Sequence, residues 1–365
     1  MKIFCAVQAT GRGHLSRYET VRRLLLDAGH GVHGFASGRE LPAYAQDIDE
    51  FVTGPTFFIH RNRVSLTPTA LHNARHFAAY QRTIRTLAGR FASDEFDRII
   101  IDFEPLAARA ARRAHRPFTI LDNQTAAFLD TPCPAGLASR RALLRGFVRF
   151  YYNGFSHAER ILTCSLAPLD PVLSGQIVIP PCVRPEISAL TPRNGNHLLF
   201  YKSLGRLPHG LAEFARAHSG AEVRVYAPQA GHAADLPPNV IIRGHDHRQF
   251  LDDFASCRAC VTYAGFESVA EAVHLGKPVV VVPIAGQWEQ QLNAAIIRAA
   301  GIGSVAHDFS RETFELAWSD APAPAPDARQ WVAGGPEALR RHLLQDWPAP
   351  SVRKARSTPP APPRG

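Results

Sequence analysis

At about 150 residues per domain, a chain of 365 residues is long enough for two domains. Its 45% hydrophobic and 20% charged residues exclude a disordered, collagen-like or disulfide-scaffold class. A net charge of +9, carried almost wholly by arginine, favours anionic partners: phosphorylated small molecules, an anionic membrane face or nucleic acid.

The chain opens on an apolar run, Ile3 to Val7, that has the length of a strand and is too soon followed by Gly11 and Arg12 for a signal peptide. No later run approaches a membrane span, so a cytoplasmic location is expected. Further runs of strand length stand at His30 to Phe35, Arg98 to Ile101, Phe118 to Leu121 and Ile161 to Cys164, with helical stretches at Arg17 to Ala28 and Pro105 to His115. Because these runs are apolar throughout rather than alternating, the strands are expected to be covered on both faces. Four prolines between Gln176 and Pro192 predict an interdomain linker over 176–196 that supports neither helix nor central strand. A second series then follows. Its strands are His197 to Tyr201, Val223 to Tyr226, Val240 to Arg243, Ala259 to Tyr263 and Pro278 to Val282, and its helices His209 to His218, Gln249 to Ala255, Phe266 to His274 and Glu289 to Ala300. The prediction is an α/β protein of two Rossmann-like doubly wound domains, 1–175 and 197–335, facing a cleft. A helix over 336–347 folds back on the first domain, and 348–365 is a disordered, Pro-rich basic tail.

The first βα loop, Ala9-Thr10-Gly11-Arg12-Gly13-His14-Leu15-Ser16, combines Gly11 and Gly13 with the start of a helix, a place where an anion or polar substrate approaches. It lacks the third glycine of a dinucleotide fingerprint, and the second strand ends in Ala36-Ser37 without an acid for a ribose, which argues against a dehydrogenase. His14 is a candidate general base at the cleft; the plainer reading is a histidine at a helix start. Asp102, at the end of a strand that opens on the same rim, is placed to hold the His14 ring, or to cap the helix that starts near Pro105.

The second domain carries Tyr263-Ala-Gly265-Phe266-Glu267-Ser268-Val-Ala-Glu271, then Gly276-Lys277-Pro278 and Glu289-Gln290-Gln291-Leu-Asn293-Ala294. A strand ending at Tyr263 and turning through Gly265 leaves helix-start N–H groups and the Ser268 hydroxyl as a diphosphate site that needs no metal. Glu271, one turn further on, can accept both hydroxyls of a ribose, and the adjacent Glu289 and Gln290 suit a sugar ring.

These residues resemble the donor-binding motif of the GT-B glycosyltransferases, in the family 1 and 28-like superfamily that includes UDP-glycosyltransferases of small molecules and the lipid II synthase of peptidoglycan. Together with Gly11-x-Gly13-His14 and Asp102-Phe-Glu104-Pro105, the wording looks most like a prokaryotic branch of it. The likeness is densest over Leu236 to Gly303 and extends over Met1 to Phe35 and Arg98 to Gln124. The resemblance implies a metal-independent, inverting transfer of a sugar from a nucleotide-sugar, UDP-linked in the first instance, to an acceptor hydroxyl of a small molecule or a lipid-linked compound. It assigns Gly265 and Ser268, beside Tyr263 and Phe266, to the diphosphate, Glu271 to the ribose, Glu289 and Gln290 to the sugar, and the chain near Arg243 and His245 to the nucleobase. His14 becomes the base and Asp102 its partner, and the nucleotide-sugar is a co-substrate rather than a cofactor. Two positions depart from the motif: Tyr263 stands where a histidine is usual and Glu267 where an asparagine is. An acid beside a diphosphate is unfavourable unless it points away or pairs with a cation. A nucleotide-sugar epimerase and a non-catalytic nucleotide-sugar-binding protein are the rival readings.

Other signals are weaker. Asp47-Ile-Asp49 reads as a surface D-x-D, and in Gly244-His245-Asp246-His247 the aspartate suits a helix cap better than a metal. The six cysteines lack a paired framework and read as reduced. Ser139 to Tyr152 is a basic, aromatic helix, either buried with its arginines along one edge or in peripheral contact with an anionic membrane. Nucleic acid has only the net charge in its favour, and no specific nucleic-acid partner is expected.

Overall fold

Strands made of Val, Ile and Phe without polar alternation need cover on both faces, and the two parallel sheets of the computed structural model have it. The structure describes residues 1–9, 12–60, 63–131, 138–202, 206–227, 236–244 and 246–346. Gly11, Cys133, His245 and the tail expected at 348–365 lie outside the described residues.

The amino-terminal domain runs β1 (Lys2–Gln8), α1 (Arg12–Asp27), β2 (Gly31–Gly38), β3 (Glu50–Thr53), a small antiparallel pair β4 (Ile59–His60) and β5 (Arg63–Val64), and α2 (Leu66–Ala92). It continues with β6 (Arg98–Asp102), α3 (Pro105–Arg113), β7 (Phe118–Asp122), a 3-10 turn (Gln124–Phe128), α4 (Ala138–Tyr151), β8 (Ala158–Cys164) and β9 (Gln176–Ile179). Its sheet has the order β3-β2-β1-β6-β7-β8-β9. The chain then passes α5 (Pro185–Ser188) into β10 (His197–Tyr201), α6 (His209–Ala217), β11 (Glu222–Tyr226), β12 (Val240–Ile242), α7 (His247–Ser256), β13 (Ala259–Tyr263), α8 (Phe266–His274) and β14 (Val279–Val282). After α9 (Trp288–Ala299) and β15 (Ser304–Val305) come α10 (Arg311–Ser319), α11 (Pro326–Ala333) and α12 (Gly335–Arg340). The second sheet is ordered β12-β11-β10-β13-β14-β15.

In each sheet the strand order reverses once, between β1 and β6 and between β10 and β13. Open α/β sheets take their ligands at such reversals, outside the carboxyl ends of the strands. The first reversal presents the start of α1 and the end of β6, where Val7 pairs with Asp102; the second presents the turn from β13 into α8.

The linker expected over 176–196 needs correction at its start. Gln176–Ile179 is the seventh strand of the first sheet, paired with β8 on one side only, so Pro180 and Pro181 end an edge strand and interrupt no central one. Nor does Pro185 preclude a helix, for it stands in the first turn of α5, where its missing N–H costs nothing. The chain end does return to the first domain: Trp331 Nε1 donates to the Ser165 carbonyl (2.8 Å), Arg160 Nη1 donates to the His342 carbonyl (2.7 Å), and Gly335 packs on the Pro181 carbonyl with no room for a side chain.

The helix foreseen at Ser139 to Tyr152 is α4. It buries Leu144, Val148 and Tyr151 and leaves Leu143 and Phe150 exposed, while Arg141 and Arg145 donate to the Ala127 carbonyl or its neighbour Thr131. Among the described residues no helix is long and apolar enough to cross a membrane.

Candidate active site

His14 falls in the first turn of α1, and its Nδ1 lies 2.8 Å from Asp102 Oδ1. An ionised carboxylate only accepts, so Nδ1 carries the hydrogen and the lone pair of Nε2 is turned toward the Gln124 amide, 3.4 Å away. The ring lies parallel to that of Phe103, centroids 5.9 Å apart. Phe103 has a left-handed backbone (φ 50°), held by its N–H donating to the Tyr152 hydroxyl (2.8 Å), which in turn donates to Asp122 (2.6 Å). This turn ends β6 with the Asp102 side chain directed at α1.

Asp102 does not cap α3. Glu104 does, accepting from Leu106 N–H (3.1 Å), Ala107 N–H (2.5 Å) and the Ser37 hydroxyl (2.6 Å), because the cap must lie immediately before the first helical residue. Asp102 is thereby left to the histidine. Glu104→Ala should cost about 1–2 kcal/mol, read as a lower urea midpoint with the spectroscopic signature of the fold unchanged.

The sequence reading overlooked Arg17, three residues beyond His14 on the same helix and 1% exposed. Its Nε and Nη2 donate to the two oxygens of Asp102 (2.8 and 3.1 Å), Nη2 also to Asn123 Oδ1 (3.0 Å), and Nη1 to Glu267 Oε1 (2.7 Å) in the other domain. Burial would raise the Asp102 carboxyl, but Arg17 and then His14 outweigh it and hold the group below the ordinary aspartate value. Burial works against the His14 imidazolium; the charge and hydrogen bond of Asp102 overcome it and leave that pKa raised.

On the opposite side β13 ends at Tyr263 and α8 starts after Gly265 without a side-chain cap, so its first N–H groups face the domain boundary. Ser268 Oγ donates to the Gly265 carbonyl (3.3 Å), and Asn293 of α9 donates to the Ala264 carbonyl (3.0 Å), fixing the turn from below. Gly13 is required by close approach: a Cβ there would lie 2.9 Å from Cγ of Glu267, the acid whose need for a cation Arg17 meets.

The structure brings His14, Asp102, Gly13, Gly265 and Ser268 to one part of the domain boundary, joined by the Arg17–Glu267 pair. Glu289 belongs to it too, accepting from Asn123 Nδ2 (2.9 Å) and Gln124 Nε2 (3.4 Å) across the boundary. The other expected donor residues are engaged elsewhere. Both oxygens of Glu271 accept from Arg184 at the start of α5 (2.6 and 3.0 Å), and Gln290 Oε1 accepts from the Ile284 N–H (3.0 Å). Tyr263 and Phe266 are buried, Tyr263 against Phe309, and Arg243 donates to Asp253 (3.2 Å). Asp47 pairs with Arg22 at the surface, Asp49 accepts from the Gly34 N–H, and Asp246 caps α7 through the Gln249 N–H. Among the described residues no three His, Cys, Asp or Glu side chains are grouped to hold a metal ion.

The family model described as Glycosyl transferase family 1 matches residues 1–318. The chain belongs to this family. The glycosyltransferase has no matching relative among curated proteins. Among solved structures, the glycotransferase of kitacinnamycin is 18% identical, with a TM-score of 0.57 over 93% of this chain and 95% of that one. SnogD from Streptomyces nogalater is 17% identical, with a TM-score of 0.56 over 93% and 94%. UGT2 of Phytolacca americana, solved with UDP-2fluoro-glucose and pterostilbene, is 15% identical, with a TM-score of 0.60 over 93% and 95%. Likeness at these identities shows the fold, GT-B, and the family shows the activity, sugar transfer.

Proposed function

We propose that the glycosyltransferase moves a sugar from a nucleotide-sugar, a UDP-sugar first among them, to an acceptor hydroxyl, with inversion and without a metal ion. The observation that carries this reading is the His14–Asp102 pair set against the uncapped start of α8 across one domain boundary. His14 Nε2 takes the acceptor proton as the acceptor oxygen bonds to the anomeric carbon, while Asp102 stabilises the imidazolium. The bond from that carbon to the diphosphate breaks on the opposite face. The negative charge that leaves with the nucleoside diphosphate meets the N–H groups of α8 and the Ser268 hydroxyl, and these dipoles do for it what a cation does elsewhere. A single displacement of this kind inverts the anomeric centre. Glu289 exchanges its Asn123 and Gln124 partners for sugar hydroxyls as the donor enters, and Glu271, still held by Arg184, accepts from the ribose through its remaining lone pairs. The UDP-2fluoro-glucose bound by the Phytolacca americana protein supports a donor of this class.

The test is a panel of nucleotide-sugars and hydroxyl acceptors, with release of nucleoside diphosphate and the anomeric configuration of the product both measured. A glycoside of inverted configuration, formed equally well in EDTA, is expected; retention or loss of turnover in EDTA overturns the mechanism, and free sugar alone overturns the transfer.

The base works only when neutral. Since Asp102 raises the His14 pKa above its ordinary value, kcat at saturating donor should rise with pH through that raised value and then level off. Asp102→Asn removes the charge that favours the imidazolium, so the acid limb should move to lower pH while the plateau drops; a limb that stays in place in a pH–rate profile would rule out His14 as the titrating group.

A further inference from the structure

Two helix starts, those of α1 and α8, converge at the domain boundary, and the side chain of Glu267 fills the space between them. It leans on Gly13 so closely that no Cβ fits there, and its Oε1 accepts from Arg17 Nη1 at 2.7 Å. Charged and titratable groups face it from every neighbouring element: Arg17 and His14 from α1, Asp102 from β6, Cys164 from β8, Arg184 from the linker and Glu271 from α8 itself. Each of the two arginines already serves a carboxylate through paired hydrogen bonds, Arg17 that of Asp102 and Arg184 that of Glu271. Glu267 is therefore a third carboxylate sharing two permanent cations, and whenever His14 is neutral the cluster carries surplus negative charge before any donor arrives. A diphosphate placed on α8 adds more negative charge at the same spot.

We propose that a nucleoside diphosphate binds this enzyme with uptake of one proton by Glu267, whose Oε2, the oxygen not engaged by Arg17, then donates a hydrogen bond to a diphosphate oxygen. The proposal rests on the donor reading above. The proton comes from solvent; Oε1 still accepts from Arg17, so the frame around Asp102 and His14 is kept. Burial pushes the Glu267 carboxyl up to about 7, against the pull of Arg17, so the proton is available close to neutrality. Glu267 thus becomes a ligand of the leaving group in its neutral form, and donor affinity falls as pH rises above about 7.

Titration calorimetry of the full chain with UDP at pH 8, in buffers of different ionisation enthalpy, counts the protons taken up. Nearly one proton is expected, falling toward zero below pH 6, and the Kd for UDP should rise about tenfold per pH unit above neutrality. UDP at pH 8 is itself fully ionised, since a terminal phosphate titrates at about 6. Glu267→Gln is expected to bind UDP with no proton uptake and a Kd independent of pH; uptake that persists in this variant places the proton on another group, His14 or the nucleotide, and overturns the proposal. Even if the variant fails to fold, a Kd for the parent that stays constant between pH 6 and pH 8 overturns the proposal. UDP binding by the parent with no proton uptake at pH 8 overturns the proposal and leaves the donor reading standing. Failure of UDP, GDP, ADP and dTDP alike to bind overturns the donor reading and the proposal with it.

Discussion

His14→Ala should lower kcat by roughly 10²- to 10⁴-fold, the range a positioned general base contributes, and leave the protein folded. The ring is partly exposed and its one strong bond is to Asp102, which keeps both hydrogen bonds from Arg17 when the ring is gone. No buried charge is orphaned, so the melting temperature should stay within a few degrees of the parent's. KM for the donor should also hold, since the proposed mechanism puts His14 on the acceptor side of the transferred sugar. Release of nucleoside diphosphate under saturating donor is the measurement; turnover within tenfold of the parent would remove His14 from the chemistry.

Arg17→Met has the opposite profile, a loss of stability that drags activity with it. Methionine fills the space but leaves Asp102, Asn123 and Glu267 without their buried partner. Breaking a buried ion pair from one side costs about 3–5 kcal/mol, because the remaining charge is left in a poor dielectric. Arg17→Lys should recover only part of this, for a single ammonium cannot reach three side chains in the planar fork that a guanidinium presents. The double variant Arg17→Met with Glu267→Gln should lie closer to the parent than the sum of the single changes, as contacting residues are not additive. Urea denaturation of the parent, the three single variants and the double variant settles it, and an Arg17→Met midpoint equal to the parent's would show that the network contributes nothing to the fold.

How much of this could be read in advance depends on how local the cause is. The bounds of β10, β13 and α8 match the sequence reading residue for residue, since unbroken apolar strands and a Gly265 turn are decided by neighbours in the chain. Helix α2 was not foreseen. Its buried positions Tyr80, Ile84, Leu87, Ala88 and Phe91 have helical spacing, but they occupy only the second half of a 27-residue helix whose first half holds Pro68 and leaves Leu71 and Phe77 exposed. In the site, His14 and Asp102 were legible because both sit at carboxyl ends of strands flanking one reversal of sheet order. Arg17 was not, although the acid at position 267 already called for a cation. Nothing in a linear reading says which of so many arginines, here one 250 residues away, will answer it. The same holds for Arg184, which engages Glu271 from a linker that looked featureless apart from its prolines. The cap of α3 was offered to Asp102, where Glu104 serves, because both acids stand close before Pro105, and only the backbone path at Phe103 separates their directions.

The return of α12 to the first domain, tied through Trp331, His342 and Gly335, means that two lengths of chain bridge the lobes rather than one. A body hung on a single tether swivels freely, whereas one hung on two can only rock about the line that joins them. Any parting of the two lobes is thereby confined to rocking about that line, which keeps His14 and the start of α8 in one register.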